Sequence, residues 1–175
     1  MVRFSFVPGE PRRYPARIHV LRISTTLKDW LCTGRIGPLS IGDSASDVVT
    51  LLGETEHFGP KHRNNFPSCW LYDEIEFGFN GDAKIEWIQS DTIRAEDSRD
   101  NPTVIDFDWQ GISDGMSMQS CLDWLCENNL THQHVLHDDG ATITVENATR
   151  MLLTDADDPK LATIWSPAAQ NKNAG

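Results

Sequence analysis

The chain has 175 residues, about the length of one domain, and its 39% hydrophobic and 23% charged residues are ordinary for a folded protein. Fifteen Lys and Arg against 26 Asp and Glu leave a net charge of −11. So acidic a composition is poorly matched to a phosphate backbone, which needs clustered cations, and argues against nucleic-acid binding. No apolar run reaches the ~18–20 residues that cross a bilayer as a helix, which excludes a transmembrane helix and any membrane role based on one.

The charge is uneven. Residues 1–22 hold five Arg (Arg3, Arg12, Arg13, Arg17, Arg22) and a single acid, Glu10. Pro8, Pro11 and Pro15 prevent a long helix there, and the apolar core of a secretory signal is missing. The segment reads as a basic extended arm over 1–23, with 17–23 able to pair as a strand. It reads equally as the product of a start codon set too far upstream.

The spacing then predicts a helix over 25–32. Ser24 or Thr25 is placed to cap it, Leu27, Trp30 and Leu31 form its apolar stripe, and Gly34 stands just past its end. In a second helix Ser44 caps, with Asp47 three residues on. Val48, Val49, Leu51 and Leu52 supply the apolar face of that helix, and Gly53 stops it. A polar loop over 54–67 follows, after which the period changes to two.

Strands are expected over 69–72, 75–79 and 83–89, with Asn80-Gly81 as a two-residue type I′ hairpin turn. In the third strand Ile85 and Trp87 are assigned to one face and Lys84, Glu86 and Ile88 to the other. An acidic, turn-rich connector over 91–106 leads to a third helix, capped by Ser117 and carrying Met118, Cys121, Leu122 and Leu125 at i, i+3, i+4 and i+7. Strands over 133–137, 141–146, 150–153 and 161–165 complete the pattern, and 167–175 has the composition of a disordered tail.

Cys32, Cys69, Cys121 and Cys126 form no Cys-x-x-Cys pair, and Cys121 and Cys126 do not face each other on a helix. They read as free, buried thiols of a reducing compartment, so a cytoplasmic location is expected.

The two halves superpose with an offset of 73. Ser40/Ser113, Gly42/Gly115, Ser44/Ser117, Leu52/Leu125 and Glu54/Glu127 are identical, and Val48-Val49 meets Cys121-Leu122. The expected fold class is therefore α+β: two similar units of capped helix plus small antiparallel β-meander, over 24–90 and 107–166, packed as one tandem domain.

The segments IGPLSIGDSASDVVTLLGE and CWLYDEIEFGFNGDAKIEWI resemble the helix-plus-meander unit of the β-lactamase-inhibitory-protein-like superfamily. That group also holds small outer-membrane assembly lipoproteins with a Gly-x-Ser-x-x-x-Val-x-x-x-Leu-Gly pattern. Gly42, Ser44, Val48, Leu52 and Gly53 match it; the second half matches at Gly115, Ser117 and Leu125 but has Cys126 in place of the last glycine. Trp30, Leu31, Gly34, Ile36 and Gly37 resemble the opening motif of uncharacterised, immunity-like bacterial proteins. The resemblance implies a non-catalytic scaffold that presents a concave sheet to a protein partner. The chain lacks the secreted inhibitor's disulfide pattern and signal, which directs its target away from β-lactamases.

Candidate chemistry is sparse. His132 and His134 share a strand face that could offer two corners of a divalent-metal site, with Glu146 as a third ligand and His137 on the opposite face. A metal-dependent hydrolase built on 132–137 is the reading from another class. His57, His62 and Cys69 carry no local nucleophile motif, and phosphate loops and nucleophile elbows are missing. No catalytic residue, metal or cofactor is assigned, and the chain is expected not to be an enzyme.

Six tryptophans favour an interface, since Trp and Tyr anchor bound partners. Trp30, Trp124 and Phe77 are assigned to the core. The expected partner-binding residues are Trp70, Tyr72, Glu74, Glu76, Glu86 and Trp87, where acids interleave with aromatics. An acidic aromatic surface suits a basic protein, so the expected function is stoichiometric neutralisation of a basic toxin, immunity- or antitoxin-like. A scaffold or assembly factor of the same fold is the alternative within binding.

Overall fold

The structure is a computed structural model and describes residues 22–55, 57–61, 66–93 and 104–167. The expected arm over 1–21 and most of the expected tail lie outside the described residues, although Pro167 belongs to the last strand rather than to a tail.

The first helix begins later than its pattern suggests. Ile23–Thr26 is extended (β1), and α1 runs over Leu27–Thr33 with Thr26 as its cap, accepting from the Asp29 amide. The correction has a tertiary cause: β1 pairs in parallel with β5 (Ile105–Asp108), which draws Ser24 and Thr25 into a strand. The end of the supposed connector thus supplies a strand, and Ile93, also within it, is buried. Gly34 closes α1 with φ +69°, donating to the Trp30 carbonyl at 2.7 Å. Helix α2 (Ala45–Leu52) has the expected reciprocal capping box between Ser44 and Asp47, and α3 (Met118–Glu127) is capped by Ser117.

The remaining strands are β2 (Cys69–Tyr72), β3 (Ile75–Phe79), β4 (Ile85–Ser90), β6 (His132–His137), β7 (Gly140–Val145), β8 (Arg150–Thr154) and β9 (Lys160–Pro167). They form one antiparallel sheet of order β2-β3-β4-β9-β8-β7-β6. The fold is α+β. The last strand of each half meets the other at the centre, so the two meanders share a single sheet. Beyond β2, residues 57–61 bridge to 67–71 through Phe58↔Trp70 and Lys61↔Pro67, so the expected polar loop edges the sheet there.

Three backbone hydrogen bonds recur at aligned positions of the halves. Gly42 donates to Ile85 and Gly115 to Leu161, both at 2.8 Å; Ala45 donates to Ala83 at 2.9 Å and Met118 to Pro159 at 3.0 Å; Ile85 donates to Asp43 and Leu161 to Met116, both at 2.8 Å. Gly42 and Gly115 both take positive φ, +92° and +76°. The segments leading into α2 and α3 are thereby pinned to the starts of β4 and β9.

The β3–β4 connection departs from the expected type I′ turn. Asn80 Oδ1 accepts from the amides of Asp82 and Lys84, and Ala83, not Gly81, takes the positive φ, +56°. A register shift at Gly78/Phe79 makes Glu86 an extra residue on β4. The bulge resets the alternation, so Ile85 and Ile88 both enter the core and Trp87 turns to the opposite face.

The core lies between the sheet and a layer made of the helices and the β1–β5 pair. Phe77, Ile88, Ile164, Met151 and Ile143 cover the sheet side, with Leu27, Trp30, Leu31, Val48 and Leu125 packed over them. Trp30 and Phe77 are fully buried as expected, whereas Trp124 is half-buried at the margin, its Nε1 donating to the Gln110 carbonyl at 2.9 Å. A polar chain crosses this core: Trp30 Nε1 donates to Ser166 Oγ at 2.9 Å, and Ser166 meets Thr149 Oγ1 at 2.7 Å.

Candidate functional site

Alternation along an antiparallel strand gives the sheet two faces, and among the described residues the helical layer covers one and leaves the other bare. The register of the other face runs unbroken across all seven strands as Leu71, Glu76, Gln89, Trp165, Arg150, Thr144 and Gln133. A second row crosses it through Cys69, Gly78, Trp87 and Pro167. Trp87 and Trp165 therefore flank the β4–β9 seam at the centre of the bare face, both partly buried.

The polar groups of this face are organised. Gln89 Nε2 donates to Glu76 Oε2 and to Asp91 Oδ2, both at 3.1 Å, so one amide holds two carboxylates together. Burial, then the charge of Asp91, raises the Glu76 carboxyl above its ordinary value, against the opposing hydrogen bond from Gln89. The Arg150 guanidinium lies over the Trp165 ring, 5.3 Å from its centroid. Near the 57–61 edge a cleft of about 340 Å³ is lined by His57, Phe58, Gly59, Cys69, Leu71 and Glu76. The Cys69 thiol there is pushed up, first by burial and then by Glu76; such a thiol is a poor nucleophile.

The six expected partner-binding residues do not share one surface. Glu76 and Trp87 are on the bare face, and Glu86 is exposed at the bulge beside them. Trp70 and Tyr72 pair with Phe77 and Ile75 and so point to the helix side. Trp70 packs on Phe79 and Phe66 at 4.7 and 5.5 Å. Tyr72 is buried and donates from Oη to the Gly53 carbonyl at 2.7 Å. Both line a separate cleft of about 280 Å³ with Val49, Glu54 and Phe58. Burial, then the charge of Glu54, pushes the Tyr72 phenol up to about 12. Glu74, in the β2–β3 turn, accepts from Trp109 Nε1 at 2.7 Å and ties the turn to the β5 side.

Trp165, Arg150, Gln89 and Asp91 belong to the bare face and were not singled out by sequence. The only signal for Trp165 is its place among the six tryptophans, because the β4–β9 pairing that sets it beside Gln89 joins segments about 75 residues apart.

On β6, His132 and His134 share a face and His137 takes the other, opposite Gly140. His132 Nδ1 lies 2.9 Å from the Leu130 carbonyl and His137 Nε2 lies 3.1 Å from Thr142 Oγ1. Among the described residues, no group of three or more His, Cys, Asp or Glu side chains is placed to hold a metal ion. No helix among them is long and apolar enough to cross a membrane. No protein-family model, curated protein or solved structure matches the chain.

Proposed function

We propose that the chain is a non-catalytic binding module that neutralises a basic protein partner through the bare face of its sheet, as an immunity or antitoxin-like inhibitor. The observation that carries this is the centre of that face, where Trp87 and Trp165 stand beside the carboxylates of Glu76 and Asp91. Aromatic rings offer area at low entropic cost. Two acids held by a neutral amide suit an arginine or lysine head group, with its stem lying on the indoles.

The net charge of −11 favours fast association with a basic protein. All four cysteines are free thiols, which supports action in the cytoplasm. The recurring hydrogen bonds of the two halves support a scaffold of two like units.

The test is affinity capture from the native cell extract at low and high salt, followed by binding kinetics with the captured protein. The expected result is one basic protein held at one-to-one, with association slowed by salt. Trp165→Ala and Glu76→Lys should each weaken it by at least about 2 kcal/mol, as central interface residues do. A diffuse capture, or a complex indifferent to both substitutions, overturns the reading.

A further inference from the structure

β6 ends the seven-stranded sheet, and among the described residues it pairs only with β7. An edge strand presents a row of backbone N–H and C=O groups that fits another strand, and folded proteins usually blunt such edges with Lys, Pro, a bulge or a very short strand. β6 has none of these devices. It is six residues long, reads His-Gln-His-Val-Leu-His, and keeps an unbroken register from His132↔Val145 to His137↔Gly140. Val135 and Leu136 are 57% and 66% exposed, one on each face of the sheet. At the opposite end of the sheet, 57–61 covers β2.

We propose that β6 pairs antiparallel with β6 of a second copy of this chain, about a two-fold axis through Val135. Strand length and charge pattern together favour this occupant and this register, since an axis at Leu136 would carry the pairing past the end of the strand into the Asp138-Asp139 turn. The strand itself carries no carboxylate, although the chain is strongly acidic. A two-fold axis normal to the sheet keeps faces matched, so facing residues must be both even or both odd. Centred on Val135, the pairing sets Val135 against its own copy, His134 against Leu136 and Gln133 against His137. It also sets His132 against Asp138, twice by symmetry. Centring on His134 instead stacks two His134 rings and sets Asp138 against Leu130. The sheet would become continuous over fourteen strands, by the mode that edge strands use to recruit peptides.

The test is sedimentation equilibrium of the full chain over a wide concentration range, at two salt concentrations. A monomer–dimer equilibrium is expected that strengthens with salt, because two copies of charge −11 repel until screened; association with a basic partner responds in the opposite sense. Val135→Lys should weaken the dimer at least tenfold while leaving near-UV circular dichroism unchanged, since the site is exposed. With the exposed Cys32 and Cys126 changed to Ser, Val135→Cys should give a disulfide-linked dimer on oxidation. Leu136→Cys, which faces His134 rather than itself, should not. A monomer at all concentrations, a dimer unaffected by Val135→Lys, or equal cross-linking at 135 and 136 overturns the proposal.

Discussion

Trp87 lies flat across Gly78: a β-carbon on that glycine would fall 1.8 Å from indole Cε2 and 2.3 Å from Cδ2. The glycine is needed for space and not for conformation, since its φ is not among the positive ones. The pit it leaves lets an indole lie against the bare face at the centre of the sheet. Gly78→Ala must push the ring out or shift β4, at a cost of about 1–3 kcal/mol. The loss should shrink in a Trp87→Ala background, which a double-mutant cycle of urea midpoints reads directly. Equal losses in both backgrounds would place the cost in the backbone.

Trp30 and Ser166, 136 residues apart, share a buried hydrogen bond that continues to Thr149. Ser166→Ala leaves the Trp30 N–H and the Thr149 hydroxyl short of a partner where no water reaches them. The expected loss is about 1–3 kcal/mol in chemical denaturation. A change near zero would mean that the indole finds another acceptor.

The four thiols should react in a fixed order. Burial raises Cys121 to about 11 and also raises Cys69, so both hold little thiolate at pH 8. Cys32 and Cys126 are exposed. Iodoacetamide followed by peptide mapping should label Cys32 and Cys126 first, Cys69 more slowly, and Cys121 only on unfolding. Early labelling of Cys121 would contradict its burial on the core side of α3.

Glu76 sets part of the acid response. Its carboxyl is raised in the folded protein by burial and by Asp91, so the folded state holds its proton more tightly than the unfolded chain. The group therefore adds stability as pH falls from neutral through its raised value, complete below the ordinary glutamate value of about 4.3. Asp47, lowered by its hydrogen bonds with Ser44, works in the opposite sense: its contribution is present above the ordinary aspartate value of about 3.9 and is lost as pH falls through the lowered one. Glu76→Gln keeps an acceptor for Gln89 and removes the charge. It should hold or raise stability at pH 7 and flatten the profile between pH 7 and 4.5, read from urea midpoints across that range. An unchanged profile would show that Glu76 is solvated like an ordinary surface acid.

What the sequence determined by itself is local. Ser44 with Asp47, Ser117, and Gly34 mark helix boundaries because a cap satisfies backbone groups only a few residues away. Period-two runs mark β2, β3 and β7 because alternation is a property of one strand alone.

Tertiary structure decided which face each side chain takes. The extra residue Glu86 set Trp87 on the bare face, away from the Ile85 face it was expected to share, and the helix layer covered the side of Trp70 and Tyr72. The β1–β5 pair and the β4–β9 seam join distant segments, so neither leaves a local trace. A strand's own pattern says that it has two faces; only packing and long-range pairing settle which one stays open to a partner.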